Sequence, residues 1–190
     1  MPATVKLFEH FTRLFDFKGR EDRASFWPYA AFVFVIVMVV GMIILVPMMA
    51  HSMEAMQQYA AEHPDQATVT SGPGQYSISV QGNHPEFFDD RSMVLYLIAS
   101  FGLSIFLYSG AVVRRLHDRG KSGWWGLMPL PFIIYSTIMI PRVFASPAVN
   151  INLFFSVFLS NMVYIITLIW LIVWLAGPSE PASNRYDAER

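Results

Sequence analysis

Four uninterrupted apolar stretches constrain this chain more than any other feature of its 190 residues. They run from Phe26 to Ala50, Ser92 to Val113, Trp124 to Ile140 and Ile151 to Ala176, and none holds an acidic or basic side chain. A helix needs roughly 17–25 apolar residues to cross the hydrocarbon core, so all four qualify, the third only just. Inside lipid the backbone must satisfy its own hydrogen bonds, which makes these stretches helices. A β-barrel would need strict alternation, and the run from Val33 to Val40 shows none. Only 14% of the residues are charged, against roughly a quarter in soluble domains. The expected fold is an all-α integral membrane protein with four transmembrane helices.

The basic residues then set the orientation. Lys6, Arg13, Lys18, Arg20 and Arg23 precede the first span; Arg114, Arg115, Arg119 and Lys121 lie between the second and third; Arg185 and Arg190 lie in the tail. Of the thirteen basic residues, that leaves only Arg91 and Arg142 on the other side. Such asymmetry is the positive-inside pattern, so both termini are expected in the cytoplasm. The layout is a cytoplasmic segment (1–25), the first span (26–50), an outer loop (51–91) and the second span (92–113). A basic loop (114–123), the third span (124–140), a short outer loop (141–150), the fourth span (151–176) and a cytoplasmic tail (177–190) follow. A cleaved leader is not expected, because residues 1–25 are polar to amphipathic and precede too long an apolar run.

The N-terminal segment carries Leu7, Phe8, Phe11, Leu14 and Phe15 on one helical face, and Lys6, Glu9, His10, Arg13 and Asp16 on the other. It reads either as an interfacial helix in the headgroup plane or as a helix packed on the bundle's cytoplasmic end. Gly19 is its expected stop. In the outer loop, Met53 to Glu62 extends the first span to a stop near Pro64. Thr68 to Val80, broken at Ser71-Gly72-Pro73-Gly74, reads as a small hairpin. The loop is acidic (Glu54, Glu62, Asp65, Glu86, Asp89, Asp90), and its scattered His51, His63 and His84 read as solvated residues, not metal ligands. The chain has no cysteine, which removes disulfides, thiolate metal sites and cysteine nucleophiles. A net charge of −1 with no basic domain gives no reason to expect nucleic acid.

Chemistry-bearing residues gather at the cytoplasmic ends of the spans. They are Gly19-Arg20-Glu21-Asp22-Arg23-Ala24-Ser25-Phe26-Trp27, the loop Arg114 to Trp125, and Asn184-Arg185-Tyr186. These motifs resemble the bacterial inner-membrane family defined by domain of unknown function 805. Its signature joins Gly-Arg-x-x-Arg…Trp, Arg-Arg-Leu-His-Asp-x-Gly-x-Ser-Gly-Trp-Trp and Asn-Arg-aromatic. Here they are Gly19, Arg20, Arg23 and Trp27; Arg114 to Trp125; and Asn184 to Tyr186. The resemblance implies the four-span fold and membrane placement but no reaction. Ser25 stands where members often have Glu, and Asp187 where the tail often has Gly; the outer loop is longer than usual.

The basic loop reads as a tight turn, with Gly120 and Gly123 supplying its conformations, Ser122 capping the third span, and Arg114 and Arg115 facing the negative end of the second span's dipole. Arg20, Arg23, Arg114, Arg115 and Arg185 are expected to converge with His117, Asp118 and Asn184 on one rim. That rim suits membrane anchorage and salt bridges between loops, or an anionic site for a lipid phosphate or a phosphorylated small molecule. His117 and Asp118 are also the candidate catalytic pair, with His117 as a general acid or base. So many cations disfavour a metal there, and no cofactor is expected.

Within the spans, Ser100, Ser104 and Tyr108 share one face, as do Ser156, Ser160, Tyr164 and Thr167, with Asn161 the most polar side chain nearby. Such faces serve helix packing or line a polar path. Pro129 and Pro131 are expected to interrupt the third helix. Without an intramembrane charge a coupled transporter is not expected, and a pore would need a homo-oligomer. Three functions follow: a non-enzymatic protein whose rim binds anionic lipid or a protein partner, a membrane enzyme using His117 and Asp118, or an oligomeric channel.

Overall fold

The computed structural model describes residues 3–82, 84, 87, 90–144, 150–180 and 186–187. Asn184, Arg185 and Arg190 of the tail, and Glu86 and Asp89 of the acidic loop, lie outside the described residues. The fold is mostly helical: α1 (Ala3–Thr12), α2 (Arg23–Glu62), a hairpin of β1 (Ala67–Gly72) and β2 (Gln75–Val80), α3 (Asp90–Asp118), α4 (Leu130–Phe144) and α5 (Ile151–Ala176). Four helical stretches are long and apolar enough to cross a membrane: Arg23–Glu62, Arg91–Asp118, Gly123–Val143 and Ile151–Ala176. The architecture is that of a multi-pass membrane protein.

The 40 residues of α2 span roughly 60 Å at 1.5 Å per residue, about twice the hydrocarbon thickness. Asp22 starts it, its side chain accepting from the Ser25 amide at 2.7 Å. It ends where the His63 amide donates to the Tyr59 carbonyl at 2.9 Å, one residue before Pro64. The hairpin behind it is antiparallel, pairing Ala67 with Val80 and Gly72 with Gln75, and Gly74 takes a φ of +75° in the turn.

Tyr59 ties this hairpin end together. Its hydroxyl meets the Gln66 side-chain oxygen at 2.8 Å, and its ring packs against His63, His84 and Phe87 at 4.3, 4.5 and 5.3 Å between centroids. His63 and His84 are therefore packing partners on one tyrosine, a correction to their reading as solvated loop residues. Tyr59→Ala is expected to raise amide exchange across residues 67–80 by about fivefold while leaving 26–50 unchanged, since one partly exposed aromatic cluster is worth ~1 kcal/mol. Equal protection of the hairpin in both proteins would refute that anchoring role.

The buried core sits at the opposite end of the bundle. Phe26, Tyr29, Ala30 and Val33 of α2 meet Leu107, Ala111 and Leu116 of α3, and Leu171 and Leu175 of α5. Two tyrosines cross between α2 and α3 in opposite directions: Tyr29 donates to the Leu107 carbonyl at 2.6 Å and Tyr108 to that of Ala30 at 2.8 Å. Elsewhere Ile43, Val46, Phe155 and Leu159 remain exposed, as lipid-facing surface should. The hydroxyl faces serve packing where they reach across: Ser160 donates to the Phe132 carbonyl at 3.0 Å, and Tyr135 meets Ser156 at 2.9 Å. Ser104, Asn161 and Thr167 bond to carbonyls of their own helices.

Three local expectations are corrected. Pro129 and Pro131 do not interrupt a helix. A 3-10 turn at Gly123–Leu127 comes first, and Pro131 occupies the first turn of α4, where a missing amide donor costs nothing. Ser122 stands at the start of that 3-10 turn but makes no capping bond through its side chain. Helix α1 ends at Thr12, well before Gly19, which instead turns the following strap at a φ of +76°.

Candidate functional site

The end of α3 is where the strap, the tail and two helix ends meet. Its last turn closes as a Schellman motif: the Lys121 amide donates to Leu116 and the Gly120 amide to His117, both at 2.9 Å, with Gly120 left-handed at +65°. This turn carries Arg114, Arg115, His117 and Asp118, and fixes where each can reach.

Arg114 is 1% exposed. Its Nε donates to Glu21 at 2.9 Å, and its Nη1 to the carbonyls of Arg13 and Asp16 at 2.8 and 2.5 Å. The strap between α1 and α2 is thereby bound to α3. Gly110 makes the approach possible, because a Cβ there would stand 2.9 Å from the Arg13 carbonyl oxygen. Glu21 completes the joint. Its amide donates to the Arg114 carbonyl at 3.2 Å, and its second carboxylate oxygen meets the His10 Nε2 at 2.6 Å. His10, assigned to the polar face of α1, is 6% exposed and stacks on Tyr29 at 4.3 Å. That placement reverses the expectation, because its carboxylate partner is itself buried.

Arg115, wholly buried, faces the other way. It donates to the carbonyls of Leu175 at 2.9 Å, Gly177 at 2.5 Å and Glu21 at 3.3 Å, to Ser179 Oγ at 3.3 Å, and to the Asp118 carboxylate. Arg119 adds the Trp174 carbonyl at 3.2 Å and that of Pro178. The last carbonyls of a helix have no partner within it and carry the negative end of its dipole. Arg115 thus complements the end of α5, where its own helix end had been expected.

Arg20 links strap to tail, through Asp118 at 3.2 Å, Asp187 at 2.9 Å and the Glu180 carbonyl at 2.6 Å. Burial works to lower its pKa, but the hydrogen bonds to Asp187 and Asp118 outweigh it and push it up. Nearby, hydrogen bonds from Arg13 hold the Asp16 carboxyl below its ordinary value. His117 approaches the Gly19 carbonyl at 3.3 Å and stacks on Tyr186 with ring centroids 3.7 Å apart and planes nearly parallel. Its partners differ from those of Asp118, whose two oxygens take the guanidinium groups of Arg20 and Arg115.

The structure therefore brings together Arg20, Arg114, Arg115, His117 and Asp118, and leaves Arg23 exposed with no side-chain partner among the described residues. Asn184 and Arg185 lie outside those residues. Sequence reasoning missed Glu21 and Asp187, whose carboxylates, with Asp118, balance the three inner guanidiniums. Glu21 lay inside a quoted motif, and its polarity amid cations was the available signal.

The family model described as "Protein of unknown function (DUF805)" matches residues 14–188, nearly the whole chain and all of the network except His10 and Arg13. The chain belongs to this family. No curated protein and no solved structure matches it. As a DUF805 member it is a membrane protein whose family description assigns no activity. The groups joined at the end of α3 come from α1, the strap, α3, α5 and the tail, and those from residue 14 onward lie in the matched region. Among the described residues, no group of three or more His, Asp or Glu side chains is placed to hold a metal ion.

Proposed function

We propose that this chain is a non-enzymatic protein of the bacterial inner membrane, with both termini cytoplasmic, whose arginine end rests on anionic lipid headgroups. One observation carries the reading: a collar of cations and aromatic rings reaches the surface outside the self-neutralised inner network. Lys18 and Arg23 are exposed and Lys121 is half-buried; Phe15, Trp124 and Trp125 are exposed by 67, 79 and 47%. Aromatic rings favour the headgroup level, and each juxtamembrane cation adds up to ~1 kcal/mol against an anionic leaflet. Lys121 is also held over Trp174 at 4.2 Å, which fixes its height relative to the rings.

The inner residues Arg20, Arg114, Arg115, His117 and Asp118 serve this function by positioning. They hold the strap and tail in place, so that Lys18 and Arg23 emerge beside the first turn of α2. The orientation draws its support from the distribution of basic residues, and α1, with Phe8 67% exposed, would lie along the same headgroup layer.

The test is the triple variant Lys18→Gln, Arg23→Gln, Lys121→Gln in nanodiscs of mixed phosphatidylglycerol and phosphatidylcholine. Retention of phosphatidylglycerol after delipidation is expected to fall about tenfold at low salt, with the difference shrinking as salt rises. Unchanged retention at low ionic strength would remove the collar from the account.

A further inference from the structure

We infer that the open edge of β2 pairs with an extended, uncharged strand of a partner protein whose flanks are basic. The hairpin is a two-stranded sheet, so each strand has an outer edge. Its register says which residues offer backbone groups there. The Gln81 amide donates to the Gln66 carbonyl at 2.9 Å, and inward bonding alternates from that pair to Thr68 with Ser79 and Thr70 with Ser77. Tyr76, Ile78 and Val80 on β2, and Ala67, Val69 and Ser71 on β1, therefore turn amide and carbonyl outward. Among the described residues, no hydrogen bond from outside the hairpin reaches any of these six.

Natural sheet edges are blunted by lysines, inward charges, prolines, bulges or very short strands. This hairpin has none of them. Its strands are six residues each, residues 66–82 hold no charged side chain, and Pro73 lies in the turn. Pairing runs one to one from Ala67–Val80 to Gly72–Gln75 without a bulge. The outward-bonding positions also share one face, because paired residues lie on the same side and alternate along each strand. That face carries Ala67, Val69, Tyr76, Ile78 and Val80, whereas the other carries Thr68, Thr70, Ser77 and Ser79. Toward the turn, Val69 and Tyr76 are 50 and 49% exposed. The β2 edge is favoured, since Tyr76, Ile78 and Val80 offer larger cross-strand contacts than Ala67, Val69 and Ser71.

Charge around the hairpin selects the occupant. No lysine or arginine occurs between Arg23 and Arg91, whereas Glu54 and Glu62 of α2 and Asp65 before β1 are exposed. A second copy would set acid against acid, and like charges across an interface cost affinity. A strand with basic flanks meets the same field with the opposite sign. Its main chain would extend the ladder while its alternate side chains continue the apolar face.

The probe is a synthetic peptide, Lys-Lys-Val-Thr-Val-Thr-Val-Lys-Lys, titrated into the full chain in phosphatidylcholine nanodiscs. Saturable binding is expected. Glutamate in place of the four lysines should weaken it about tenfold, and N-methylation of the valine amides should do the same with every side chain kept. Ile78→Pro removes an outward donor and no ladder bond, so it should also weaken binding about tenfold; Val69→Pro on the opposite edge should not. Amide exchange over residues 67–80 checks that the hairpin persists in both. Ile78→Lys, which leaves the backbone intact and sets a cation on the edge, is the second variant and should lose binding likewise. Absence of binding, equal binding of the N-methylated peptide, or indifference to Ile78→Lys overturns the proposal. Concentration-dependent pairing of the wild-type chain that Ile78→Pro abolishes would make the occupant a second copy, and would overturn the basic partner.

Discussion

Arg115→Met is expected to lower the thermal unfolding midpoint of the detergent-solubilised protein by more than any other single change considered. The side chain is wholly buried and donates to five acceptors across three parts of the chain. Removing one member of a buried ion pair costs about 3–5 kcal/mol, a large share of the roughly 5–15 kcal/mol that holds a typical protein folded. Arg115→Lys is expected to be nearly as damaging, because one ammonium with three donors cannot reproduce a planar fork. Adding Asp118→Leu to Arg115→Met should not restore the midpoint, since Arg20 then loses its Asp118 partner and the carbonyls of Leu175, Gly177 and Glu21 still lack their donor. A midpoint within about two degrees of wild type for Arg115→Met would mean that the tail is held by something else.

The second large effect is expected from a single methyl group. In Gly110→Ala the new Cβ would press on the Leu14 carbonyl and stand 2.9 Å from both the Arg13 carbonyl oxygen and Arg114 Nη1. Backbone atoms cannot rotate away as a flexible side chain can, so the strap must move and take two acceptors from Arg114. Overpacking of this kind costs about 1–3 kcal/mol. Amide exchange over residues 13–22 should rise sharply while α4 and α5 stay protected. Gly102→Ala on the same helix meets nothing within 4 Å and should be neutral or slightly stabilising, as alanine favours a helix by about 1 kcal/mol. If the two alanines behaved alike, close approach at Gly110 would not be what seats the strap.

The spans were legible in the sequence because length and apolarity are properties of one segment at a time. Ile151 to Ala176 is the same stretch in sequence and structure. The first helix outran its apolar core, but Met53 to Glu62 and Pro64 already marked the extension. The arginine cluster was legible as a set of residues and illegible as a geometry. Partners such as the carbonyls of Arg13, Asp16, Leu175 and Gly177 have no side-chain signature, so nothing in residue identity announced them. Glu21 was visible, but its pairing with Arg114 spans 93 positions, a distance no local pattern covers. His10 was misplaced for a related reason: periodicity gave it a polar face, and a buried carboxylate made that face interior.

The two neighbouring arginines also differ in when their partners come into existence. Everything that Arg114 binds through its side chain precedes it in the chain, so that joint can close as soon as α3 is complete. Arg115 must wait for Leu175, Gly177 and Ser179, made 60 to 64 residues later. Until the ribosome delivers them, the growing chain holds a guanidinium among apolar helix ends with only Glu21 and Asp118 to receive it. The order of synthesis thus lets the joint at Arg114 close before the one at Arg115, whose partners belong to the end of the last helix and the tail. A product cut short after α4 would keep the first joint and display the second unfilled, a chemical mark by which an unfinished chain differs from a finished one.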